Sequence, residues 1–420
     1  MINTNLLFLG ALIMRISRLS YLFIFTSYLL LSACQTVPIA PLQTMDYPIS
    51  FEAAIQTLTN HLLQNVATTY PARQGLIVLD PFIDAKSGDV LKISREIETV
   101  MIAEGKKYFP QFSLIRLTPT ELRRANYVLN GTIDLQNYSI KTDEETQGEK
   151  YYRLSASVID LSTGLIIANA HSWIAEADID YSRTPLYEES PTFLKDKRVQ
   201  SQITTTESPT GKNADDEYYD SLDTNALLVE AETAYEANDY VKSRTLFNKA
   251  AERTDGQVMK TYLGLYESTR QGGSTLEPAA ETAFTKLLTL SIQETKSLNI
   301  RFLFEVNSTA FINNTKIRQQ YADWLRMISH FLQQNDYCFH IVGHSSKTGK
   351  QDYNLKLSLQ RAESVRHLLA TDTPDLLNKS KAIGKGFAEN LVGTGTDDAH
   401  DAIDRRVEFM MIDCSKLTAE

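Results

Sequence analysis

The stretch GHSSKTGKQDYNLKLSLQRAESV, residues 343–365, joins two different hydrophobic periods. It begins where the apolar run YCFHIVGHSS, residues 337–346, ends as a strand. It then crosses a short turn of Lys, Thr and Gly and enters a run whose Leu355, Leu359, Ala362, Val365 and Leu369 recur at helical spacing and are expected to face inward. Arg361 interrupts that run with a cation, and Ser346 stands fifteen positions before it at the strand end. Upstream, NIRFLFEVNS is strand-like, and Ile317, Tyr321, Trp324, Ile328 and Phe331 trace one helical face. Downstream come KAIGKGFAE and then the strand-like DRRVEFMMID. Residues 298–414 thus alternate strand and helix.

Five phrases in this piece, FLFEVNS, GHSSKTG, YNLKLSLQRAESV, GKGFAEN and DRRVEF, follow one another in the order found in a known family. The piece resembles the C-terminal domain of outer-membrane protein A and the peptidoglycan-associated lipoprotein. The resemblance implies a βαβαββ fold that binds the diaminopimelate of peptidoglycan stems. That ligand ends in a carboxylate and an ammonium, so its site needs one cation and one anion facing each other on rigid elements. In the family a strand-end Asp takes the ammonium, and an Arg fifteen positions later takes the carboxylate in bidentate geometry. Arg361 matches the Arg, but Ser346 occupies the Asp position. Asn354 and Arg405 are counted with the site.

Three readings of that departure stay open. The Ser346 hydroxyl holds the ammonium, at a loss on the order of 1–2 kcal/mol against a charge-assisted bond. Alternatively Asp352, in the same loop, swings in. In the third reading the domain has become a docking module for another protein. No other group in the piece calls for chemistry. His340 and His344 alternate onto one strand face, but no third ligand at a suitable spacing accompanies them, so no metal site is expected. DDAHDAID, residues 397–404, reads as an acidic loop, and GKGFAE lacks the strand-to-helix context of a phosphate loop. With no nucleophile elbow and no zinc-protease helix either, no catalytic residue is assigned and an enzyme is not expected.

The other end of the chain carries an address. Arg15 and Arg18 precede an apolar run, Leu19 to Leu31, and then LSAC, residues 31–34. A basic region, an apolar core and small residues before a cut make a secretory signal. Cleavage before Cys34 resembles the lipobox of bacterial lipoproteins, which implies a covalent lipid (palmitate) on Cys34 as the only attached group and no other cofactor. An uncleaved transmembrane anchor from Ile2 to Leu31 is disfavoured, since it would place two arginines in the bilayer at ~2.5–3.5 kcal/mol each. Translation from Met14 would give a leader of ordinary length. Gln35 rather than Asp after the lipidated cysteine implies sorting to the outer membrane, facing the periplasm. Only Cys338 and Cys414 then remain. In an oxidising compartment they either pair or stay as separate buried thiols, because spacing alone does not place their Cα atoms within ~7 Å; we expect the pair.

Between these ends the chain is long enough, at 420 residues, for several domains. Its 43% hydrophobic and 22% charged residues suit folded domains. A net charge of −10 argues against nucleic acid as a partner. The expected fold class is multidomain α+β. After the signal peptide, 1–33, comes a Pro-containing tether, 34–50. An α/β sandwich-like domain, 51–180, follows, with LIVLDPF, FSLIRL and YVLNGTIDLQNYSI as strands and DLSTG as a hairpin turn with Gly164 at the flexible position. Its element order, with LIVLDPF, ANYVLNGTI and YRLSASVIDLSTGLIIANAHSWI, resembles the lipoprotein activators of penicillin-binding proteins and the curli-secretion lipoprotein. Asp80 and Asp84, at a strand end, read as solvated loop residues. Residues 181–223, rich in Ser, Thr, Pro and charge, read as a linker, with Tyr187, Tyr218 and Tyr219 as a conceivable docking segment. Residues 224–292 resemble tetratricopeptide repeats. Small Ala231 and Gly264 stand 33 apart, and a pair of such units must lean on a neighbour. The reading that joins these parts is a non-catalytic outer-membrane lipoprotein that ties the bilayer to peptidoglycan and recruits an envelope protein. The alternative is an accessory subunit of a secretion, flagellar or pilus machine, or a regulator of a wall synthase, with weak or no wall binding.

Overall fold

Strand GLIVL, Gly75–Leu79 (β1), has no polar face, and a strand of that kind needs cover on both sides. The computed structural model provides it. Residues 47–71, 74–138, 149–176, 179–188, 195–272, 278–298, 300–391, 395, 397 and 400–417 are described. The lipobox Cys34, most of the tether and the GGSTLEP insertion lie wholly or partly outside them.

The first elements are α1 (Phe51–Thr69), β1, β2 (Ile83–Asp84), α2 (Lys92–Tyr108), β3 (Phe112–Arg116), α3 (Pro119–Leu122), β4 (Tyr127–Tyr138), β5 (Glu149–Asp160) and β6 (Ile166–Ile174). They form a mixed sheet in the order β3-β1-β4-β5-β6, with β2 also on β4. β1 runs parallel to both neighbours, while β4, β5 and β6 form an antiparallel meander. The β5–β6 turn holds Gly164 at φ 72°, a left-handed conformation that glycine adopts without a Cβ penalty. Strand alternation splits the core. Ile77 and Leu79 pack with α1 and α2 residues such as Leu58, Leu62 and Ile97. Val78 and Val128 face the opposite side, where Tyr218, Leu222 and Ala226 cover them.

That second cover corrects the linker reading. Within residues 181–223 the chain forms α4 (Pro185–Glu188), α5 (Lys197–Glu207) and α6 (Asp216–Asp220). Tyr187 and Tyr218 are fully buried, so they are core, not docking, residues. The reason is that polar side chains here satisfy one another. Tyr187 donates to Glu232 at 2.9 Å, and Asp196 caps α5 by accepting from the Val199 amide. Asp80 and Asp84 are likewise buried instead of solvated. Asp80 accepts from the Tyr218 hydroxyl at 2.8 Å, and burial still raises its pKa to about 6. The supposed tether is also ordered at its end, where Ile49 pairs with the β6 edge.

Four successive helices follow: α7 (Leu222–Glu236), α8 (Tyr240–Ala251), α9 (Met259–Gly272) and α10 (Pro278–Thr295). One hydrophobic core runs from Ile83 and Tyr187 through Phe247, Tyr266 and Phe284 to Trp324 and Phe409. The helices therefore lean on both neighbours. Arg95 grips Glu236 on one side, at 2.6 Å. On the other, Trp324 Nε1 donates to the Tyr266 hydroxyl at 2.9 Å. The described residues consequently belong to one compact unit, not to modules on a spacer.

The last part contains β7 (Phe302–Leu303), α11 (Thr315–Gln334), β8 (Cys338–Gly343), α12 (Gln351–Asp372), β9 (Ser380–Gly384) and β10 (Arg406–Ile412). The sheet order is β7-β10-β8-β9, with only β8 and β9 parallel. Cys338 and Cys414 form a disulfide across 76 residues, with Cα atoms 5.0 Å apart. Among the described residues, no helix is long and apolar enough to cross a membrane.

Candidate functional site

Gly343 closes β8 where the strand crosses α12. A Cβ there would lie 1.9 Å from the Ser358 carbonyl oxygen, so any other residue would push strand and helix apart. Just beyond it, the His344 carbonyl accepts from Arg361 on α12, and Ser345 and Ser346 follow.

That face differs from the expected one. Leu355 and Leu359 are exposed, while Asn354, Ser358, Arg361, Val365 and Leu369 are buried. The stripe still has helical spacing, but its first turns are polar because they serve the strand end and its loop. Asn354 Nδ2 donates to the Thr348 carbonyl at 2.7 Å and to that of Lys350 at 3.1 Å, bracing the turn around Gly349. Ser358 Oγ accepts from the Gly386 amide at 2.9 Å.

Arg361 is fully buried. Its Nε donates to the Ser308 carbonyl at 2.9 Å, Nη1 to that of His344 at 3.1 Å and Nη2 to that of Glu305 at 2.9 Å. The guanidinium lies 5.2 Å from the centre of the Phe304 ring. Burial, and then repulsion from Arg405, bring its pKa down to about 10, which leaves it charged at neutral pH. All three nitrogens thus brace main chain, a role that the fifteen-residue spacing does not reveal.

Ser346 is buried and donates its hydroxyl proton to Asp397 Oδ1. Thr348 Oγ1 approaches the Ser346 hydroxyl at 3.4 Å. Asp352 is exposed in the first turn of α12, so the carboxylate that meets Ser346 comes from the loop before β10. Two aspartates of that loop are not solvated. Asp401 and Asp404 are fully buried and accept amide protons from Asp397 and Leu391, at 2.9 and 2.6 Å. Asp397 is held at φ 58°, a left-handed conformation that Asp tolerates better than most residues. Arg405 Nη1 stands 3.7 Å from Asp397 Oδ1, and its Nε donates to the Phe304 carbonyl at 3.2 Å. One end of the domain therefore gathers Ser346, Arg361, Arg405 and Asp397, with Asn354 supporting the turn.

His344 is buried, with Nε2 2.8 Å from Glu408. Folding brings Glu389 to the same place, and the three offer ligand atoms within 4.8 Å of one another. The third group comes from a loop, which is why strand spacing does not show it. The protein's own cations already serve both carboxylates, Arg406 at 3.3 Å from Glu408 and Lys385 at 3.0 Å from Glu389. Burial pushes Glu408 up, but His344 and Arg406 outweigh it and hold the group at about 2. The two carboxylates are thus paired within the chain, while His344 Nδ1 is buried with no hydrogen-bond partner among the described residues. Elsewhere, a cavity of about 420 Å³ opens between Tyr152 and Tyr181 on one side and Leu303, Ile312 and Ile317 on the other.

Residues 304–403 match the OmpA family, and the chain carries an OmpA-family domain there. No curated protein matches the chain. Among solved structures, the peptidoglycan-associated lipoprotein from Burkholderia pseudomallei is 25% identical, over 27% of this chain and 89% of its own, with a TM-score of 0.23. The cell wall anchor of the T6SS from Pseudomonas aeruginosa is 26% identical, over 26% and 76%, with a TM-score of 0.22. The OmpA-like domain of FopA1 from Francisella tularensis is 23% identical, over 26% and 68%, with a TM-score of 0.22.

Proposed function

We propose that this chain is a non-enzymatic envelope lipoprotein that holds peptidoglycan through its OmpA-family domain, with Cys34 acylated in the outer membrane and the folded part in the periplasm. The observation that carries the reading is the charged end of that domain. There Arg361 on α12, Arg405 just before β10 and Asp397 in the loop ahead of it stand together, next to the strand end that the resemblance assigns to the site. Such a site suits a ligand that is itself a zwitterion, as a diaminopimelate end is. Membrane and wall would then be tied by one chain, and the fused middle of the molecule would fix the distance between them and present a surface to an envelope protein.

Two measurements test this. Full-length protein incubated with purified sacculi should sediment with them, and less so at raised salt, because the Asp397 carboxylate is partly exposed. Cys34→Ala should leave an uncleaved or soluble precursor, and membrane fractionation like that of the unaltered chain would remove the lipid anchor from the reading. A second reading, a docking subunit of an envelope machine, draws support from Arg361, whose nitrogens are taken up by main-chain carbonyls. Protein that ignores sacculi but crosslinks to one complex in intact cells would favour it.

A further inference from the structure

We infer that Asp397 is the anion of this site, receiving the ammonium end of the stem peptide in place of the carboxylate that position 346 lacks, with Arg405 as the cation beside it. The inference rests on the wall-binding reading above and deepens it.

Four observations carry it. The Ser346 hydroxyl donates to Asp397, so Ser346 orients a carboxylate and is not itself the primary acceptor for an ammonium. The aspartate is fixed in place: its backbone is left-handed, and its amide is held by the fully buried Asp401. Its side chain keeps 21% of its surface open while that of Arg405 keeps 8%, so a ligand can reach the carboxylate from solvent. Finally, Arg405 is more than nine-tenths buried, and its Nη1 has no hydrogen-bond partner among the described residues. A buried donor of this kind calls for an acceptor oxygen, and it stands 3.7 Å from the anion. Anion and unmet donor side by side complement a ligand bearing an ammonium and a carboxylate on one carbon. Asp352, exposed on its helix, offers neither arrangement.

The geometry also changes what a substitution at 346 should do. A carboxylate introduced there would sit against Asp397, and two like charges at hydrogen-bond distance oppose each other. Ser346→Asp alone should therefore not strengthen wall binding.

The test uses the full mature chain in detergent, purified sacculi that contain diaminopimelate, and two soluble competitors, meso-diaminopimelate and pimelate, which differ in the ammonium groups. Unaltered protein should sediment with sacculi and be displaced by meso-diaminopimelate far better than by pimelate. Asp397→Asn should weaken sedimentation roughly tenfold or more, the loss expected for one charge-assisted bond, and should abolish the preference between competitors. Ser346→Asp combined with Asp397→Asn should restore both, since the carboxylate is only transposed. If Asp397→Asn folds poorly, the single Ser346→Asp variant still decides the matter, because it leaves Asp397 in place and should not raise affinity. If Asp397→Asn binds and discriminates like the unaltered chain, or if Ser346→Asp alone raises affinity tenfold, the assignment of the anion is wrong while wall binding stands. If the unaltered chain ignores sacculi, the wall reading falls and this inference with it.

Discussion

Replacing Arg361 should cost stability before it costs binding. Its guanidinium donates to three carbonyls, of which that of His344 is buried with it and those of Ser308 and Glu305 are partly exposed. A charged donor to a buried acceptor contributes ~1.5–3 kcal/mol, and we assign about 1 kcal/mol to each of the others. The Phe304 ring adds about 0.5–1 kcal/mol. Arg361→Ala should thus destabilise the chain by about 4–6 kcal/mol. Arg361→Lys keeps the charge but loses the planar fork, and its single ammonium cannot serve three directions at once, so about half of that loss should remain. The assay is urea unfolding of the disulfide-intact chain followed by fluorescence of Trp324, which is buried in the same core, with Trp173 replaced by Phe. If Arg361→Ala shifts the unfolding free energy by less than about 0.5 kcal/mol, as an ordinary surface change does, the guanidinium is not a brace and the argument fails. A loss of sacculus binding in this variant would then read directly as a lost ligand contact.

Two further expectations concern stability. The disulfide closes a long loop, 76 residues in separation, and the chain-entropy model gives it on the order of 4 kcal/mol. Cys338→Ser with Cys414→Ser should lower the urea midpoint accordingly, and thiol titration of the denatured, unreduced mature protein should find no free cysteine; two free thiols would remove the bridge. Asp80, raised by burial to about 6 against an ordinary value of 3.8, stabilises the fold when protonated. That contribution is complete below about pH 4 and is lost as pH rises through about 6, amounting to a few kcal/mol at ~1.4 kcal/mol per unit. The stability advantage of Asp80→Asn over the unaltered chain should accordingly grow between pH 4 and pH 7, and parallel pH curves for the two proteins would contradict the assignment.

Much of this molecule is legible in its residues because local period carries it. LIVLDPF makes a strand with two covered faces, DLSTG makes the hairpin turn, and the five phrases of residues 298–414 mark the OmpA-family part. What the tertiary structure alone decided are the places where polar residues found partners far away in the chain. Residues 181–223 carry the composition of a linker, yet they cover a sheet face because Tyr218 reaches Asp80, 138 positions away. Leu355 and Leu359 have the spacing of a core stripe, yet Asn354, Ser358 and Arg361 take the inner face because the strand end needs their donors and acceptors. Ser346 looks like a missing charge until Asp397, 51 residues on, arrives beside it. Hydrophobic period is written into neighbouring residues and can be read along the chain. A hydrogen bond between distant loops has no local signature, and only the fold brings its two ends together.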